Sequence, residues 1–241
     1  MPKKRFWVLA DCQPFSMLYR GAVKYRSSIA NHFFLFGICM HPTIAVETAF
    51  EALIDGIVDR HFAVLDGFLS ELEVVSLRSS FEQKLEDGAF HRAGIGQGEQ
   101  HTRDAEFRGD LIHWLDRSTA LPTGQAFLDR MDGFVSYLNR TCYTGLNGYE
   151  FHYAVYPTGT FYKRHLDQFH QDDHRRYSVI CYLNDNWQPE DGGELVIYHP
   201  DGDVVIEPLG GRVVFFESAL LEHEVLPARR DRYSLTGWLR R

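Results

Sequence analysis

The chain has 241 residues, 44% hydrophobic and 24% charged, with a formal net charge of −8, which is the composition of an ordinary globular protein. Residues 1–39 carry six Lys/Arg against one Asp, so the remaining 202 hold a net charge of −13; a body this acidic repels phosphate backbones and argues against nucleic acid as a partner. The four cysteines (Cys12, Cys39, Cys142 and Cys181) form no C-x-x-C pair, which argues against a zinc ribbon or a disulfide framework and for a reducing, cytoplasmic setting.

In chain order, residues 1–39 differ from all that follows. Their apolar runs, Phe6–Ala10 and Phe33–Met40, fall far short of the roughly 20 residues that cross a bilayer. No small-residue cleavage site follows them, so neither a membrane span nor a secretory signal is expected. The expectation is an N-terminal extension over 1–39, disordered, loosely docked or read from an upstream start codon, and one domain over 40–241. From Thr43 to Arg60 apolar residues at 46, 49, 50, 53, 54, 57 and 58 recur at helical spacing. His61–Asp66 reads as a strand. Ser70 with Glu73 three residues on is a capping box, opening a helix from Glu71 to about Leu85. Residues 94–106 are Gly-rich and polar, hence a mobile loop. Phe107–Trp114 resumes as a strand, and Thr123–Asn139 reads as a third helix.

Eight short strands then follow, near 149–156, 161–166, 177–183, 193–198, 203–207, 212–216, 221–225 and 232–239, separated by Gly, Pro, Asn and Asp clusters. That spacing predicts a mainly β fold, a sandwich or a double-stranded β-helix (jelly roll) core, with supporting N-terminal helices.

His-x-Asp occurs three times, at His165/Asp167, His170/Asp172 and His199/Asp201. The last sits in a Pro-Asp-Gly turn, where the Asp is more simply a turn residue, and the second lies in a polar connection. His165 ends an extended run, and a spacing of two can turn both side chains to one side. A non-haem Fe(II) site needs two neutral imidazoles and one carboxylate on one face. A third ligand would come from a distant strand, and His223 begins one. Nine residues on, alternation places Arg232, Ser234, Thr236 and Trp238 on one face of a strand, with Tyr233, Leu235 and Leu239 on the other. A buried Arg232 requires a partner: the carboxylate of a bound dicarboxylic acid, or an internal ion pair with Glu194 or Glu207.

With these residues assembled, the chain resembles the Fe(II)- and 2-oxoglutarate-dependent oxygenases, more narrowly the prolyl 4-hydroxylase group that includes the animal oxygen-sensing enzymes and their bacterial relatives. The likeness covers about residues 60–240. It rests on VLDGFL at 64–69, RGD-x-I-x-W at 108–114, YP-x-G before the His-x-Asp, YLN at 182–184, GGxL-x-I at 192–197, FF at 215–216, HEV at 223–225 and RY-x-x-T-x-W at 232–238. The resemblance implies His165, Asp167 and His223 as iron ligands. It implies Arg232, helped by Tyr182, on the distal carboxylate of 2-oxoglutarate, with Tyr156, Thr236 and Trp238 lining the pocket. Arg108 and Asp110 would organise the 94–106 loop over a protein substrate. The implied activity hydroxylates a prolyl residue in an exposed loop of a protein, a translation factor being one target class, and releases succinate and CO2, with ascorbate as reductant. The chain departs from the animal enzymes in a shorter Tyr156–His165 segment and in the residues after Asp167, both at the pocket mouth. Rival readings are the same chemistry on a free amino acid or small metabolite, and a jelly-roll binding module without oxygen chemistry.

Overall fold

Among the described residues, three helices, interleaved with short strands, precede the main run of β-structure, and each buries apolar side chains on one side. The computed structural model describes residues 42–94, 107–168 and 174–241. Helix α1 (Pro42–Arg60) buries Phe50 and Leu53. Helix α2 (Glu71–Glu86) opens at the predicted capping box: Ser70 Oγ accepts the Glu73 N–H at 3.4 Å and Glu73 Oε2 accepts the Ser70 N–H at 2.8 Å. Helix α3 (Pro122–Cys142) starts on a proline and buries Phe127, Leu128, Met131, Phe134 and Leu138, a 3.6-residue stripe.

The strands are β1 (Phe62–Leu65), β2 (His91–Arg92), β3 (Leu111–Trp114), β4 (Gly148–Tyr156), β5 (Tyr162–His165), β6 (Arg175–Tyr182), β7 (Leu195–Ile197), β8 (Val204–Ile206), β9 (Val213–Glu217), β10 (His223–Val225) and β11 (Arg232–Arg240). They pair into a seven-stranded sheet, order β1-β9-β6-β11-β4-β3-β2, and a four-stranded sheet, order β5-β10-β7-β8. This is the expected jelly roll, with each of the eight predicted C-terminal strands present within about two residues at either end.

Strand β9 is covered on both faces and reads as an unbroken apolar run, Val213–Phe216. Phe151, Val179, Phe215 and Leu235 pack toward the helices, with Phe81 and Phe134 among their core partners. Ala154, Ile180, Val214 and Phe216 share the other core with Leu195, Ile197 and Val225 of the small sheet. Strand β11 follows the predicted alternation, with Leu235 and Leu239 in the helix-side core. The site lies between the sheets.

One expectation needs correction. Only Leu111–Trp114 of the predicted 107–114 strand joins the large sheet. The three residues from Phe107 pair instead with the start of β5: Lys163 N–H donates to Phe107 O at 2.9 Å and Gly109 N–H to Phe161 O at 3.0 Å. The chain changes sheets there, and a Cβ at Gly109 would stand 2.6 Å from Thr160 Cβ, so only glycine permits the approach. The N-terminal extension, the 94–106 loop beyond Gly94, and His170/Asp172 lie outside the described residues. Among the described residues, no helix is long and apolar enough to cross a membrane.

Candidate metal centre and its pocket

The small sheet brings the two histidines together. Strands β5 and β10 run antiparallel with His165 directly opposite His223, and Asp167 follows two residues after His165. One ligand atom from each of the three lies within 4.8 Å of the others. Asp167 Oδ1 is 3.7 Å from His165 Nε2, and Oδ2 is 3.6 Å from His223 Nε2. His165 Nδ1 lies 2.7 Å from Lys163 O and His223 Nδ1 3.2 Å from Leu221 O. A carbonyl only accepts, so each ring carries its proton on Nδ1 and offers the Nε2 lone pair inward, as metal-binding histidines do. The Tyr162 ring stacks on His165 at 3.5 Å between centroids, and Phe216 meets His223 edge-on at 4.7 Å.

Electrostatics favour the states of His223 and Asp167 that a cation requires. Burial, then the neighbouring His165, push His223 down to about 4, so its ring is neutral at physiological pH. Burial alone would raise Asp167, but His223, His165 and the Ser178 hydroxyl outweigh it and hold the carboxyl well below the usual range. Two neutral imidazoles and one carboxylate on one face form a donor set that fits Fe(II) and leaves further positions open.

A cavity of about 390 Å³ opens from this cluster, and Tyr156, Arg232, Thr236 and Trp238 line it with the triad. Arg232 is 1% exposed, and neither Glu194 nor Glu207 pairs with it among the described residues. Its Nε donates to Gly193 O at 2.8 Å while Nη2 has no partner. The Tyr156 and Tyr182 rings flank the guanidinium, 5.1 and 4.9 Å from Cζ. Tyr182 stands behind the cavity wall; burial pushes its hydroxyl up while the neighbouring Arg232 charge opposes this, and no partner lies within hydrogen-bonding geometry. A buried cation with a free N–H beside a free hydroxyl is costly unless an anion completes it. The carboxylate of a dicarboxylic acid would complete the Arg232 fork.

Arg108 and Asp110 are brought together, but differently from expectation. Arg108 lines the cavity, whereas Asp110, 2% exposed, has both oxygens taken by Arg108 at 2.7 and 2.6 Å. Asp110 therefore supports Arg108 from behind the cavity wall. Burial opposes the Arg108 charge, but Asp110 outweighs it and keeps the guanidinium protonated. Arg108 also lies over the Tyr162 ring at 4.2 Å and donates to Gly94 O at 3.2 Å, where the Gly-rich segment begins. The His199/Asp201 pair sits at a turn, as expected, but there the imidazole accepts the Asp201 N–H at 3.2 Å, rather than the carboxylate bonding its own backbone.

Three features of the site, two of them in the cavity wall, escaped sequence reasoning. His152 on β4, opposite Thr236 of β11, is buried, held near 3 chiefly by that burial, and has an unpartnered Nδ1; its inward parity on β4 was the only available signal. Arg175 lies over the Trp238 ring at 3.5 Å and bonds Glu150. Gly193 supplies the carbonyl under Arg232. Its φ is +70°, and a Cβ there would meet Ala228 Cβ at 3.0 Å and Arg232 Cδ at 3.1 Å. Gly193→Ala is therefore expected to cost about 1–2 kcal/mol from the left-handed backbone alone and to displace Arg232. Thermal unfolding and calorimetry with 2-oxoglutarate check this; unchanged melting and affinity would show that the turn relaxes freely.

A model of the 2OG-Fe(II) oxygenase superfamily matches residues 151–240. Human prolyl hydroxylase EGLN3 is 30% identical over 209 residues, covering 80% of this chain and 83% of that protein. A prolyl-4-hydroxylase from Pseudomonas putida superposes with a TM-score of 0.72 at 37% identity, covering 80% of this chain and 98% of that one. A Trichoplax adhaerens prolyl hydroxylase, solved with a hypoxia-inducible factor peptide fragment, gives 0.75 at 27% identity, covering 83% and 92%. Other relatives are longer; the chain spans 26% and 48% of two curated matches.

Proposed function

Since the chain belongs to the 2OG-Fe(II) oxygenase superfamily, among its prolyl hydroxylases, we propose that it hydroxylates a prolyl residue in a protein with Fe(II) and 2-oxoglutarate. The observation that carries this is the unpartnered Nη2 of Arg232, in a cavity whose wall includes His165, Asp167 and His223, with the unpartnered Tyr182 hydroxyl behind that wall. Iron bound there, with 2-oxoglutarate and oxygen, supplies the oxidising chemistry that converts C–H to C–OH, yielding succinate and CO2. His165 and His223 would give it their Nε2 atoms and Asp167 a carboxylate oxygen. Arg232 and Tyr182 would bind and orient the distal carboxylate, with Tyr156 and Thr236 beside it. Ile180, Leu195 and Val225 give the cavity apolar walls that exclude water. Trp238 lines the same cavity, on the strand that carries Arg232.

The proposed substrate is an exposed proline loop of a folded protein, with translation factors among the first to screen, ascorbate as reductant and the cytoplasm as the compartment. Support for a protein target comes from the Trichoplax relative solved with a peptide fragment and from Arg108 tied to Gly94 at the cavity wall. Candidate proteins incubated with enzyme, iron, 2-oxoglutarate and ascorbate should gain +16 Da on proline with matching succinate. Turnover of free proline alone, with no protein modified, would overturn the protein-target reading.

Arg108→Ala by itself would strand the buried Asp110 carboxylate at about 3–5 kcal/mol. The double change Arg108→Ala with Asp110→Asn avoids that. It is expected to retain 2-oxoglutarate affinity while protein hydroxylation falls at least about 10-fold, the loss of about 1.4 kcal/mol of target binding. Undiminished protein hydroxylation would confine the pair to a structural role.

A further inference from the structure

The histidines of the candidate metal centre belong to the small sheet, but the carboxylate is fastened to the large one. Ser178 lies on β6, opposite Phe216 of β9 and Trp238 of β11. It is a polar residue in the run Val179–Leu183 and its flanks, where burial otherwise favours apolar side chains, and it is 0% exposed. Its Oγ is 2.6 Å from Asp167 Oδ2 and 2.8 Å from Ser218 Oγ, and Ser218 is likewise 0% exposed.

The donor order follows from the chemistry. An ionised carboxylate only accepts, so Ser178 spends its one proton on Asp167, and Ser218 must donate to Ser178. Backbone bonds close the same knot: Gln168 N–H donates to Ser218 O at 3.3 Å and Ser218 N–H to Arg176 O at 3.2 Å. Asp167, β6 and the turn after β9 are thus joined at one point.

We propose that Ser178 and Ser218 form a clasp on the seven-stranded sheet that positions Asp167 and reserves its Oδ2, so that a metal receives Oδ1 alone. This rests on the iron reading given above. Ser178 and Ser218 are positioning residues: neither is among the residues lining the cavity, and they act through the carboxylate. One-oxygen coordination keeps a position free that a two-oxygen carboxylate would fill. The clasp also holds the carboxylate beside the two Nε2 atoms before any ion arrives, which lowers the ordering cost of binding.

The test titrates wild type, Ser178→Ala, Ser178→Thr and Ser218→Ala with Mn(II) by calorimetry, and records visible absorption of the Co(II) forms, which reports coordination number. Ser178→Ala is expected to bind Mn(II) about 10–100-fold more weakly, as loss of an outer-shell partner does, with the Co(II) bands altered. Ser178→Thr, which keeps the hydroxyl, should restore most of the affinity, and Ser218→Ala should fall between. Wild-type affinity and Co(II) bands in Ser178→Ala, even with a lower melting temperature, would overturn the clasp and leave the serines as packing. Should Ser178→Ala fail to fold, Ser218→Ala decides on the same readouts. Wild type that binds no Mn(II) overturns the iron reading itself.

Discussion

Asp167→Ala is expected to abolish turnover and to weaken metal binding by more than the roughly 10–100-fold that an outer-shell partner costs. Asp167 is the one anionic donor of the cluster, facing His165 Nε2 at 3.7 Å and His223 Nε2 at 3.6 Å. Without it two neutral imidazoles remain, and a divalent ion loses its only compensating charge. Calorimetry with Mn(II) and succinate release measure the two effects. His199→Ala is the control, since that ring sits at the turn where it accepts the Asp201 N–H, and it should leave both nearly unchanged. Metal binding that survives Asp167→Ala but not His199→Ala would mean the wrong His-x-Asp has been chosen.

Arg232→Ala should weaken 2-oxoglutarate binding by about 2–3 kcal/mol, the loss of a charge-assisted contact, or roughly 30- to 150-fold. Metal affinity should change little, because Arg232 bonds Gly193 O and none of the triad. Arg232→Lys keeps the charge and loses the planar fork, so it should fall between. The measurement is 2-oxoglutarate calorimetry on Mn(II)-loaded protein, and unchanged affinity in Arg232→Ala would refute the clamp.

Much of this geometry was legible in the chain because it depends on local periodicity. The Ser70/Glu73 cap, the third helix and the parity of β11 are each written in consecutive residues, and each recurs in the structure. The proximity of His165, Asp167 and His223 was reached by resemblance together with strand parity, and pairing of β5 with β10 accounts for it. What stayed hidden depends on contacts between distant strands. Nothing local marks Ser178 and Ser218 as partners, since they are 40 positions apart and meet only when β6 pairs with β9. His152 and Arg175 were missed for the same reason. The change of sheet at Gly109 was not foreseen because reading a segment as extended does not say which neighbour it bonds.

Strand β11 has a consequence for how the sequence can change. Arg232, Thr236 and Trp238 line the cavity while Leu235 and Leu239 fill the helix-side core, and all nine residues are in register with β4. Insertion or deletion of a single residue inside this strand would exchange the two sets, sending a guanidinium into the apolar core and leucines into the cavity. Fold and binding would be lost in one step, with no partly working intermediate. Length variation is therefore expected in the turn before Arg232, and within the strand change must proceed by substitution alone.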